Sequence, residues 1–181
     1  MIEPLTVPAA LVILLPCAEA LAGPFRARYD RAAADGMPAH ITLLYPFRPA
    51  GGLGPATRAT LMELSAAQPA FSFQLDATGE FPGVLYLAPE DSAPFICLAE
   101  SLWRRFPESP PYGGSIREMV PHLTVADLQP DPIPETLREA FAIAAERLLP
   151  LEGRVTVLTL MVLGRGGWEV SGEFPLGRGH G

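Results

Sequence analysis

Met37-Pro38-Ala39-His40-Ile41-Thr42-Leu43-Leu44-Tyr45-Pro46-Phe47 is the stretch on which the reading of this chain turns. A proline-led loop enters a short β-rich run, and Pro46 stops it. In a strand, residues two apart point to the same face. His40 therefore shares a face with Thr42, while Ile41 and Leu43 point to the other face and anchor a core. The same pattern returns in Met119-Val120-Pro121-His122-Leu123-Thr124-Val125-Ala126. With nine threonines in the chain, two accidental His-x-Thr pairs are an event on the order of a few in a thousand. Two matching loop–strand segments predict two lobes related by an approximate two-fold.

Working outward, Leu11–Leu15 reads as a buried strand closed by Pro16. Residues 18–35 read as a helix with its start broken at Gly23-Pro24. Residues 48–55 are loop, and a helix fits 56–67. Strands are expected over 71–77 and 84–88, around a turn holding Gly79, Pro82 and Gly83. A helix over 92–106, a turn-rich segment over 107–114 and an amphipathic helix over 133–149 follow. Residues 155–163 and 168–174 read as a closing hairpin around Gly164-Arg165-Gly166-Gly167. Paired strands between helices predict an α+β fold, not a doubly wound sheet. One domain is expected over 1–176, with a flexible tail over 177–181 that contains His180.

Composition narrows the function. The chain has 181 residues, 49% hydrophobic and 18% charged, enough for a sizeable core. Its net charge is −7, which argues against a long nucleic-acid footprint. The thirteen basic residues are all arginine. Without lysine there is no adenylated lysine, no Schiff base and no Walker P-loop, so whole classes of ATP-dependent ligase and kinase drop out. Cys17 and Cys97 are too few for a disulfide scaffold or a structural zinc site. Both sit among apolar residues and read as buried free thiols, which suits a cytoplasmic protein. The apolar run 9–15 lacks a basic leader and ends at Pro16, so it reads as a strand and not a signal peptide. No segment is long enough for a membrane-spanning helix.

Two His-x-Thr strands facing one another would converge two imidazoles and two hydroxyls. Histidine titrates near neutrality, so one ring can be neutral while the other is protonated. The neutral ring takes a proton from a nucleophile, and the charged ring gives one to a leaving oxygen. The threonine hydroxyls donate to non-bridging phosphoryl oxygens. That set performs phosphodiester chemistry without metal or cofactor. A metallohydrolase pairing these histidines with Asp127 is disfavoured, because no HExxH-type spacing is present.

Paired His-x-Thr motifs about eighty residues apart, in a chain of this length, resemble the 2H phosphoesterase superfamily. Residues 38–47, together with Pro110-Pro111-Tyr112-Gly113-Gly114 and residues 120–126, are similar to its bacterial 2′-5′ RNA ligase-like branch. The resemblance implies a bilobal LigT-like fold: two antiparallel sheets with outer helices around a central cleft. It implies His40 and His122 as the acid–base pair and Thr42 and Thr124 as phosphate ligands. It also implies substrates bearing a 2′,3′-cyclic phosphate or a 2′-5′ linkage, on nucleotides or RNA ends. The alternative is a non-catalytic nucleotide- or RNA-end-binding module on the same fold.

Three further residues are candidate substrate contacts. Tyr45 ends the first motif strand, Tyr112 sits in the loop before the second, and Arg117 lies five residues ahead of His122. Arg26, Arg28 and Arg31 read as a solvated helical face, and Trp103 and Trp168 as packing. A monomer is expected.

Overall fold

The computed structural model describes residues 7–178. The elements are β1 (Ala9–Leu14), α1 (Glu19–Tyr29), α2 (Arg31–Ala34), β2 (His40–Leu44), α3 (Pro55–Ala67), β3 (Phe71–Phe81), β4 (Val84–Pro89), α4 (Ala93–Arg105), β5 (Leu123–Asp127), α5 (Glu135–Leu148), β6 (Leu151–Val155), β7 (Val157–Gly164) and β8 (Gly167–Pro175). They form two four-stranded sheets, ordered β2-β1-β7-β8 and β5-β4-β3-β6. Every pairing is antiparallel. The α+β class and the two-sheet architecture are as the sequence predicts.

The internal repeat has a structural form. Each sheet begins with a motif strand at its edge, β2 or β5, paired to β1 or β4. A helix links the two strands of each pair, α1 in the first and α4 in the second. The helices are exchanged: α1 packs against β5, and α4 packs against β2. Each lobe's helix therefore braces the other lobe's motif strand. One apolar core runs through both sheets and includes Leu11, Ile41, Leu43, Leu87, Leu123 and Val125. A second, smaller cluster of Ala10, Val12, Met37 and Met161 lies on the opposite face of the first sheet. β1 is buried on both faces for this reason, and its continuous apolar run reads accordingly.

Four local expectations are corrected. The helix expected to break at Gly23-Pro24 runs through Pro24. Proline forfeits one backbone donor there, while Leu21, Ala22 and Arg26 hold the buried face. The chain breaks instead at Asp30, whose extended backbone ends α1 and whose carboxylate accepts from Ala32 N at 2.9 Å to cap α2. The strand expected over 155–163 is β7, which starts at Val157; an unexpected strand, β6, precedes it and pairs with β3, and after Thr156 the chain crosses to the other sheet, where β7 lies beside β1. Gly177 is not part of a free tail. Its N–H donates to Gln68 O at 2.8 Å, and its carbonyl accepts from Ala70 N at 2.9 Å. His180 and the end of the expected tail lie outside the described residues. Cys97, finally, is exposed on α4, and Cys17 is half-buried with its thiol pKa raised by burial. No helix among the described residues is long and apolar enough to cross a membrane.

Candidate active site

Along β2 the burial alternates. Ile41 and Leu43 are buried in the core, while His40 and Thr42 are half-buried on the other face. Register places His40 beside Leu14 and Thr42 beside Val12, so both share the face of the small second cluster. β5 repeats the arrangement, with Leu123 and Val125 buried and Thr124 half-buried. His122 stands one residue before β5 and points its ring at Phe81 and Tyr86, with centroids 5.1 and 5.3 Å away. β2 and β5 meet at the facing edges of the two sheets.

The two histidines are held in the same way. His40 Nδ1 is 2.7 Å from Pro38 O, and His122 Nδ1 is 2.7 Å from Val120 O. A carbonyl can only accept, so Nδ1 carries the hydrogen in both rings. Nε2 is left as the nitrogen that can take or give a proton. The match of partner, two residues upstream, and of distance is the two-fold repeat expressed at the level of single atoms.

Electrostatics separates the pair. Burial lowers the His40 pKa to about 4; the Pro38 carbonyl opposes this, while the charges of Arg26 and His122 add to it. Burial also lowers the His122 pKa, against the Val120 carbonyl, with no cation adding to the effect. Desolvation disfavours the charged imidazole in both cases.

A cleft of about 430 Å³ opens above these groups. His40, Thr42 and Thr124 line it, together with Tyr45, Tyr112, Trp168, Met37, Arg31, Asp30, Asp35 and Asp127. His122 is outside this lining; it stands one residue ahead of the strand that carries Thr124. Tyr45 lies 6.0 Å from Tyr112 and 6.3 Å from Trp168, edge to face. Tyr112 adopts φ 49°, the left-handed region that non-glycine residues rarely occupy. A 2.6 Å bond from its N–H to Tyr45 O holds it there, with its phenol against Thr42 and its pKa raised by burial. Arg117, the third candidate, is exposed and does not line the cleft.

Two participants escape a reading of the sequence. Trp168 is not packing alone: it forms a wall of the cleft. Gly167 permits this with φ 114°, where any Cβ would collide with Asp35 O, and Trp168 N donates to that same oxygen at 2.7 Å. Arg26 is not on a solvated face; it is 1% exposed. The signal was its place on the stripe of Leu21, Ala22 and Asp30, at helical spacing. Arg28 and Arg31 are exposed as expected. Among the described residues, no three His, Cys, Asp or Glu side chains are grouped so as to hold a metal ion.

A family-wide sequence model, that of the 2′-5′ RNA ligase superfamily, matches residues 16–167. No curated protein sequence matches the chain. Solved structures do. E. coli LigT complexed with NADP+ aligns with a TM-score of 0.61 at 22% identity, over 96% of this chain and 99% of that one. E. coli LigT complexed with 3′-AMP gives 0.60 at 22% identity, over 94% and 98%. TT0787 of Thermus thermophilus gives 0.62 at 23% identity, over 96% and 100%. At this identity the likeness establishes the fold.

Proposed function

Because the chain belongs to the 2′-5′ RNA ligase superfamily, which makes it a LigT-like 2H phosphoesterase, we propose that its cleft cleaves 2′,3′-cyclic phosphates or 2′-5′ phosphodiesters of nucleotides or RNA ends. The observation that carries this reading is the twinned histidine geometry: two rings fixed through Nδ1 at 2.7 Å to the second carbonyl upstream, each followed by a threonine on its own face.

Each group then has a task. His40, whose pKa falls to about 4, is neutral at physiological pH and serves as base. Its Nε2 takes the proton of an attacking water as the new oxygen–phosphorus bond forms. His122 serves as acid: its Nε2 gives a proton to the ribose oxygen as the old bond breaks. Thr42 and Thr124 donate to the non-bridging oxygens, where charge accumulates. Tyr45, Tyr112 and Trp168 offer aromatic faces and edges against which a base or nicotinamide-sized ring can pack. E. coli LigT, crystallised with 3′-AMP and with NADP+, supports ligands of that kind. Arg117 is exposed and outside the cleft lining, so the proposed contacts rest on the other residues.

The carboxylates of Asp30, Asp35 and Asp127 around the lining suit a small phosphodiester better than a long polyanion. The test is turnover of 2′,3′-cyclic mononucleotides, 2′-5′ dinucleotides, ADP-ribose cyclic phosphate and RNA with a cyclic end, with EDTA present. Turnover of at least one is expected. Tight nucleotide binding without turnover of any would favour the non-catalytic binding module.

A further inference from the structure

Arg26 is the largest side chain withdrawn from solvent, and the chemistry above does not use it. A buried guanidinium needs one carboxylate for charge balance, and Asp30 supplies it at 2.9 Å. The remaining donors go elsewhere. Nη2 donates to Met37 O at 2.8 Å and Pro38 O at 3.2 Å, and Nη1 donates to Thr124 O at 3.0 Å. Met37 and Pro38 lead into the first motif, and Thr124 belongs to the second. Pro38 O is also the carbonyl that receives His40 Nδ1–H. On the same helix, Glu19 Oε1 accepts from Ala39 N at 2.6 Å.

We propose that Arg26 is a positioning residue of this cleft: its guanidinium ties both histidine-bearing segments to α1 and fixes the Pro38 carbonyl that orients the His40 ring. The inference rests on the two-histidine reading. Only a planar fork donates to three carbonyls while lying against a carboxylate; a lysine ammonium is a point charge with a different geometry. The exchanged helix makes the reach possible, since α1 follows β1 in sequence but lies over β5.

The arrangement also splits the histidines by charge. The groups facing His40 are Arg26 and Asp30 from α1, His122 and Asp127 from the β5 side, Tyr112 from its loop, and Arg31 and Asp35 from the α2 side. Of these, the Arg26 and His122 charges act to keep His40 neutral. For His122 burial is the cause of the lowering, against the Val120 carbonyl.

The test uses Arg26→Met combined with Asp30→Asn, so that no orphan carboxylate remains buried, and Arg26→Lys alone as the conservative variant. The readouts are histidine NMR titration with ring-nitrogen tautomer assignment, melting temperature, and steady-state kinetics. In the double variant the His40 titration is expected to leave its wild-type position, since both the Arg26 charge and the Pro38 carbonyl it holds act on the ring, while burial keeps it below that of a free histidine. Its Nδ1–H tautomer loses dominance, and His122 titrates as before. kcat falls about 10- to 100-fold, because misplacing a catalytic group by an ångström costs that much, while KM changes little. Arg26→Lys keeps His40 titrating low but loses part of kcat. A folded double variant, or Arg26→Lys if the double variant does not fold, whose His40 ring keeps the wild-type Nδ1–H tautomer would overturn the proposal, even with a lowered melting temperature. The titration needs no substrate, so it still decides the role of Arg26 if no phosphodiester is turned over.

Discussion

Lowering the pH should destabilise this protein through His40, in a window set by the cleft itself. In the folded protein His40 resists protonation down to about pH 4, whereas an ordinary histidine takes up its proton at 6.5. Between those values the unfolded chain binds a proton that the folded protein refuses. Stability is therefore complete above pH 6.5 and drains away as the pH falls toward 4. At pH 5 the full linkage for one such group is about 2 kcal/mol. The ring is half-buried and one side meets the open cleft, so solvent screening reduces this toward about 1 kcal/mol. For a domain of this size, 1–2 kcal/mol corresponds to roughly 2–8 °C in melting temperature. The assay is calorimetric melting at pH 8 and pH 5 of wild type and His40→Gln. The difference between the two proteins removes the contribution of every other titrating group to a first approximation. Wild type should lose about 2–8 °C more than the variant. Parallel losses in both proteins would refute the claim that the cleft holds His40 neutral.

The rate should follow the same two titrations. kcat/KM is expected to be bell-shaped, with its acid limb near pH 4 from His40 and its alkaline limb below the ordinary histidine value, where His122 loses its proton; a flat profile from about pH 5 to 8 contradicts the assignment. Thr42→Val and Thr124→Val should each cost on the order of 100-fold in kcat, as lost donors to developing charge do, with melting temperatures nearly unchanged; a loss confined to KM would make the hydroxyls binding groups only. Gly79→Ala should disturb the site from outside, because a Cβ there collides with the phenol end of the Tyr86 ring, which in turn packs on His122. An overpacking cost of about 1–3 kcal/mol and a reduced kcat are expected, and denaturant melts with activity assays check both.

Much of this molecule is legible in its sequence, and the boundary is physical. The motif strands announce themselves because alternation encodes both faces: Ile41 and Leu43 inward, His40 and Thr42 to the cleft. β1 reads correctly because it is buried on both faces. What escapes depends on contacts distant in sequence. The exchange of α1 and α4 between lobes leaves no local mark, so even where the Ala22-Arg26-Asp30 stripe marks Arg26 for burial, its partner Thr124 O, 98 residues on, is not legible. Trp168 reaches the cleft only because the β7–β8 turn packs on Asp35. β6 escapes because Leu151-Glu152-Gly153-Arg154-Val155 is short and carries two charges and a glycine, and only its pairing with β3 makes it a strand. Arg117 shows the converse: closeness to His122 in sequence does not place it in the cleft lining.

The most direct measurement is hydrolysis of a 2′,3′-cyclic nucleotide by wild type, His40→Ala, His122→Ala and the double variant, under single-turnover conditions. The rings acting as one acid–base unit predict a loss of about 1,000-fold or more in each single variant and little further loss in the double, since groups that work together are not additive. Near-wild-type turnover after removal of either imidazole would contradict it.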